Sequence, residues 1–110
     1  MTAGQAIAAL EGLTYNTYDN VQKLAWLARV EAGLLPEGSR EVRLDLDTPL
    51  LAGEPFDEMY VRYLQAQIFL EVGEITRYNN AMALYNNALA QFRRAHIREH
   101  VSPAAHLHHL

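Results

Sequence analysis

Apolar residues recur along the chain with a helical period in four places and with a period of two in one. Ile7, Leu10 and Leu13 stand three apart among alanines, which predicts a short helix over residues 2–11 that Gly12 ends. The run Thr14-Tyr15-Asn16-Thr17-Tyr18-Asp19 is turn chemistry. Asp19, followed three residues later by Gln22, predicts a capping box for a second helix, with Thr17 as the competing cap. That helix, over 19–34, places Val21, Leu24, Leu27, Ala28, Val30 and Leu34 on one broad stripe with Trp26 at its border. Gly33 and Pro36 stop it.

Residues 36–55 break the rhythm with three prolines and two glycines. Within them Val42, Leu44 and Leu46 alternate with Arg43, Asp45 and Asp47, the signature of a half-buried strand. A lone strand needs a partner, either a hairpin mate near Leu50-Leu51 or the edge of a neighbouring subunit. Asp57 then caps a third helix with core positions Tyr60, Tyr63, Leu64, Gln67 or Ile68, and Val72. Gly73 is read as a break. A fourth helix follows from Glu74, with Ile75, Tyr78, Met82, Tyr85, Leu89 and Phe92 on one stripe, and fades near His100 ahead of Pro103. The expected fold is all-α: a small bundle of about four helices, with a long irregular loop and one short strand or hairpin between the second and third. One domain over 1–100 and a flexible His-containing tail over 101–110 complete it.

The fourth helix repeats itself. Tyr78-Asn79-Asn80-Ala81-Met82-Ala83-Leu84 is followed by Tyr85-Asn86-Asn87-Ala88-Leu89-Ala90, a near-repeat of seven residues. Seven residues are almost two helical turns, so Tyr78 stacks above Tyr85 and the four asparagines form two adjacent polar rows. Asparagine is a poor helix former, because its amide competes for backbone hydrogen bonds. Either these rows are solvated, with the tyrosines as core, or they are a helix-to-helix interface in which the intervening alanines admit a second backbone.

Charge adds direction to that picture. The net charge is −4, yet residues 37–74 carry nine acids against three arginines, and from residue 75 onward four arginines oppose one acid. A chain acidic in its middle and basic toward its end can meet neighbours, or copies of itself, through complementary fields. The single lysine, Lys23, and the acidic balance argue against a general nucleic-acid coat. With no cysteine there is neither a disulfide framework nor a thiolate site. No apolar run of about 18 residues and no charged leader occurs, so a cytoplasmic setting without a membrane partner is expected.

Catalytic chemistry finds little to stand on. His96 and His100 sit four apart, with His106, His108 and His109 beyond, but without an acidic or thiolate companion. The paired carboxylates Asp57-Glu58 and Glu71/Glu74 suit helix ends. No nucleophile, phosphate-loop or metalloprotease motif is present, and no catalytic residue, metal or cofactor is expected.

The stretch Pro55-Phe56-Asp57-Glu58-Met59-Tyr60, then Tyr63-Leu64-Gln65-Ala66-Gln67-Ile68 and Gly73-Glu74-Ile75-Thr76-Arg77-Tyr78-Asn79-Asn80, resembles small head-tail connector proteins of phages and prophages of Gram-positive bacteria. Lys23-Leu24-Ala25-Trp26-Leu27 behind a Tyr/Asn-rich turn is similar to that family's N-terminal helix pair, so the resemblance spans about residues 5–95. It implies a structural virion protein: a neck adaptor that forms a homo-oligomeric ring, a dodecamer by family resemblance, beneath the portal protein. Such a ring carries the next neck or head-completion protein, with DNA at most passing through, and is assembled in the bacterial host cytoplasm. The expected subunit or partner interface is Arg77, Asn79, Asn80, Asn86, Asn87, Arg93, Arg94 and Arg98. The family's aromatic and basic C-terminal segment, which reaches toward the portal, is replaced here by His96-Ile97-Arg98-Glu99-His100 and Ala-His-Leu-His-His-Leu. The other reading is a non-enzymatic helical protein-binding or regulatory module.

Overall fold

The computed structural model describes residues 1–35 and 41–100, with helix alone, and no side chains, given for 97–100. Among the described residues four helices follow in order: α1 (Ala3–Leu13), α2 (Asn20–Leu34), α3 (Glu58–Glu71) and α4 (Ile75–His100). The all-α expectation holds, whereas the tail at 101–110 and the segment 36–40 lie outside the described residues.

Capping explains most of the helix boundaries. Thr2 and Gln5 form a reciprocal capping box at the start of α1, a signal the sequence reading passed over. Gly12 lies inside α1 rather than ending it. The Asp19 carboxylate accepts from the Gln22 N–H at 2.9 Å and starts α2, so Thr17 is not its cap. Asp57 sits at the N-cap position of α3 but makes no side-chain cap; its Oδ2 instead lies 3.7 Å from the Met1 amino nitrogen. Between α3 and α4, Gly73 adopts φ 79°. The Glu74 N–H donates to the Phe69 carbonyl at 2.8 Å and the Gly73 N–H to Leu70 at 3.2 Å, a Schellman turn that closes α3 and lets α4 fold back along it.

The core is built by α1, α2 and α3 together. Ala3, Ala6, Ile7 and Leu10 of α1 meet Trp26, Leu27 and Val30 of α2 and Met59, Tyr60, Leu64 and Ile68 of α3. Several residues that their spacing places on an inner stripe are exposed instead: Leu13 of α1, Val21 of α2 at 76%, and Val72 at the end of α3. The buried side of α2 is Lys23, Trp26, Leu27, Val30 and Glu31, a correct helical stripe whose two ends are charged. Apolar residues alone rotate the helix toward Val21 and put Trp26 on the border, because Lys23 and Glu31 complete the buried stripe.

No strand forms among the described residues, so the strand expected over Val42–Leu46 is not seen. What the segment does is pair once with the start of the chain. Thr2 and Pro49 form an isolated antiparallel bridge, and the N–H groups of Ala3 and Gly4 donate to the carbonyls of Thr48 and Leu46 at 2.9 and 2.8 Å. Gly4 is required there: a Cβ would stand 2.8 Å from the Leu46 oxygen. The segment's backbone partner is therefore the start of the chain, met through Leu46, Thr48 and Pro49, rather than a hairpin mate near Leu50-Leu51. Among the described residues, no helix is long and apolar enough to cross a membrane.

Candidate subunit interface

Helix α4 is peripheral. Its backbone comes close to that of α3 and, among the described residues, of no other helix. Tyr63 and Tyr85 meet at 5.1 Å between ring centroids, and Phe56 meets Phe92 edge to face at 5.8 Å, so α3 and α4 run antiparallel as a hairpin. Burial, and then the neighbouring Tyr63, push the Tyr85 hydroxyl's pKa up, while Arg93 pulls it back. Ile75, placed on the inner stripe by its spacing, is instead exposed at the first turn.

The seven-residue period runs through three units, one more than the Tyr-Asn-Asn wording discloses. The inner side reads Tyr78, Tyr85, Phe92 beside Ala81, Ala88, Ala95. On the outer side, Asn79 and Asn86 are continued by Arg93, Asn80 and Asn87 by Arg94, and Ala83 and Ala90 lie between the rows. All four asparagines and both arginines are exposed. None of the four amides makes a hydrogen bond among the described residues. The structure thus brings six of the expected interface residues onto one face.

The remaining two do not join it. Arg77 is engaged locally, 3.4 Å from Glu74 and over the Phe69 ring at 5.9 Å, on the flank nearest α3. The Arg98 side chain falls outside the described atoms.

A second feature was missed by sequence reading altogether. Leu34, Leu35, Leu51, Phe56 and Phe92 line a cleft of about 470 Å³ at the end of the bundle, with Arg93 and His96 on its α4 wall. Its opposite wall is held by a buried polar clamp. Glu31 is 2% exposed, and its carboxylate accepts from the Tyr60 hydroxyl at 2.5 Å and from the Leu51 N–H at 2.8 Å. The Tyr60 oxygen in turn accepts from the Ala52 N–H at 2.9 Å. Burial, and next the Glu31 carboxylate, raise the Tyr60 pKa well above the usual tyrosine value. Lys23, equally buried, pairs with Glu11. The signal in the sequence was the spacing of Lys23 and Glu31, eight residues apart on the same side as Trp26, Leu27 and Val30.

Comparison of the chain with protein-family models, with curated proteins and with solved structures returns no match.

Proposed function

We propose that the chain is a non-enzymatic structural subunit, a head-tail connector that assembles as a ring beneath a phage portal and links the capsid to the tail-attachment apparatus. The observation that carries this reading is the outer face of α4, where Asn79, Asn80, Asn86, Asn87, Arg93 and Arg94 stand exposed along one side of a helix that, among the described residues, is anchored through its other side. Four asparagines in nine helical positions lower helix propensity, and a contact surface gives that cost a purpose. The setting in a virion neck, with portal and next neck protein as partners and assembly in the host cytoplasm, comes from the resemblance described above. Size-exclusion chromatography with light scattering, on the chain alone and with a portal ring from the same virus or prophage, tests it. An oligomeric ring in either arm is the expected result; a persistent monomer in both overturns it.

The cleft favours a second reading, a module that captures one partner between helices. Its volume, and a lining that mixes leucine and phenylalanine with Glu54, Arg93 and His96, are of the kind that accept a peptide or small ligand. It predicts a one-to-one complex without self-association.

A further inference from the structure

Helix α3 stands between two flanks. Its Tyr63 faces α4 through Tyr85, and its Tyr60 faces α2 through Glu31. The α1–α2 layer and α4 both pack on α3, and among the described residues their backbones do not approach each other, so the outer side of α4 and the surface of the α1–α2 layer are distinct surfaces. On the second flank lies the segment from Glu41 to Pro49, fixed to α1 by the hydrogen bonds from Ala3 and Gly4. Its turn is rigid, since the Asp45 carboxylate accepts from the Asp47 N–H at 2.8 Å and from the Thr48 hydroxyl at 3.1 Å.

The two flanks carry opposite charge. From Ile75 to His96, α4 contains no Asp or Glu, and Arg93 and Arg94 are exposed without an ion pair among the described residues. Glu41, Asp45 and Asp47 are exposed on the other flank, against Arg43, and none of them is in an ion pair among the described residues. Two different surfaces of opposite sign on one chain are what a head-to-tail contact requires. A contact between two α4 faces would set cation against cation.

Resting on the reading of α4 as a subunit interface, we propose that this face of one copy, led by Arg93 and Arg94, docks on the acidic Glu41–Asp47 turn of a second copy. The asparagine rows supply donors and acceptors to the backbone they meet, and the alanines between them let it come close. Because the two surfaces are different, each copy keeps one of them free and the contact propagates around a ring.

Charge reversal in two variants tests the pairing. Arg93→Glu with Arg94→Glu makes both flanks acidic; Glu41→Arg with Asp47→Arg makes both basic. Sedimentation or light scattering should find each variant weakened in self-association by about tenfold or more, and weakened further by salt in the wild type. An equimolar mixture of the two should recover assembly, since every junction then joins opposite signs. The inference is overturned if the Glu41/Asp47 variant associates as the wild type does, because α4 then meets some other surface. It is equally overturned if the mixture fails to recover, or if the wild type is monomeric up to its solubility limit. Should a variant lose its helical circular dichroism, the neutral set Arg93→Gln/Arg94→Gln and Glu41→Gln/Asp47→Asn replaces it, with a smaller loss expected from each. Ring formation on a portal that is indifferent to all these changes removes the inference and leaves the connector reading standing; monomers in every arm remove both.

Discussion

Two regions of this molecule put polar side chains where a helical protein ordinarily has none or pays little heed to them, and they do so in opposite ways. Around Glu31, polar groups are buried and every one has a partner. Along the outside of α4, four amides and two guanidinium groups are exposed and make no hydrogen bond or ion pair among the described residues. The first arrangement is finished within one chain. It joins α2 to α3 and clamps the backbone at Leu51 and Ala52, so its value is measurable as folding stability. The second leaves its hydrogen-bonding capacity unused, so its value must be sought in association.

Substitutions should therefore separate the two. Glu31→Ala strands the Tyr60 hydroxyl and the Leu51 N–H in a buried place, and urea denaturation should show a loss of about 3 kcal/mol. Glu31→Gln, which keeps an acceptor oxygen, should lose roughly half as much. The opposite sign is expected on α4. Changing Asn79, Asn80, Asn86 and Asn87 together to Ala should stabilise the isolated chain by about 2 kcal/mol, because no internal bond is lost and helix propensity rises. A loss of stability there would erase the contrast between the regions.

The smallest effect concerns pH. The Tyr60 pKa is raised in the folded chain, so above pH of about 10 the unfolded chain releases a proton that the folded one retains. Stability contributed by the neutral hydroxyl is whole below that pH and falls as pH rises toward the folded value, by about 1.4 kcal/mol per pH unit. Alkaline denaturation of Tyr60→Phe should lack this slope, apart from the part that Tyr85 contributes. An equal slope in both proteins would show that Tyr60 is not held neutral by its burial.

What the sequence disclosed follows the same division. Features that depend on local chemistry were readable: the Asp19 cap, the break at Gly73, the fourfold helical order and the outward asparagine rows. Features that depend on tertiary partners were not. Lys23 and Glu31 look like surface residues until Glu11, Tyr60 and the Leu51 backbone are brought to them from elsewhere in the chain. Val42, Leu44 and Leu46 alternate as a strand would, but the backbone they approach is a helix N-terminus that offers only a bridge. Asp57 has the type and place of a cap, and a nearby amino group takes its carboxylate instead. The cleft between α2 and α4 draws on residues up to 63 positions apart, from Gly33 to His96, a separation that no local pattern encodes.

The central claim is that the outer face of α4 is a contact surface, and the quadruple asparagine-to-alanine variant tests it most directly. Light scattering of that variant beside the wild type, alone and with a portal ring, should show weaker assembly in spite of a more stable fold. Assembly equal to the wild type in both arms would mean that the asparagine rows are only solvated, and would contradict the account.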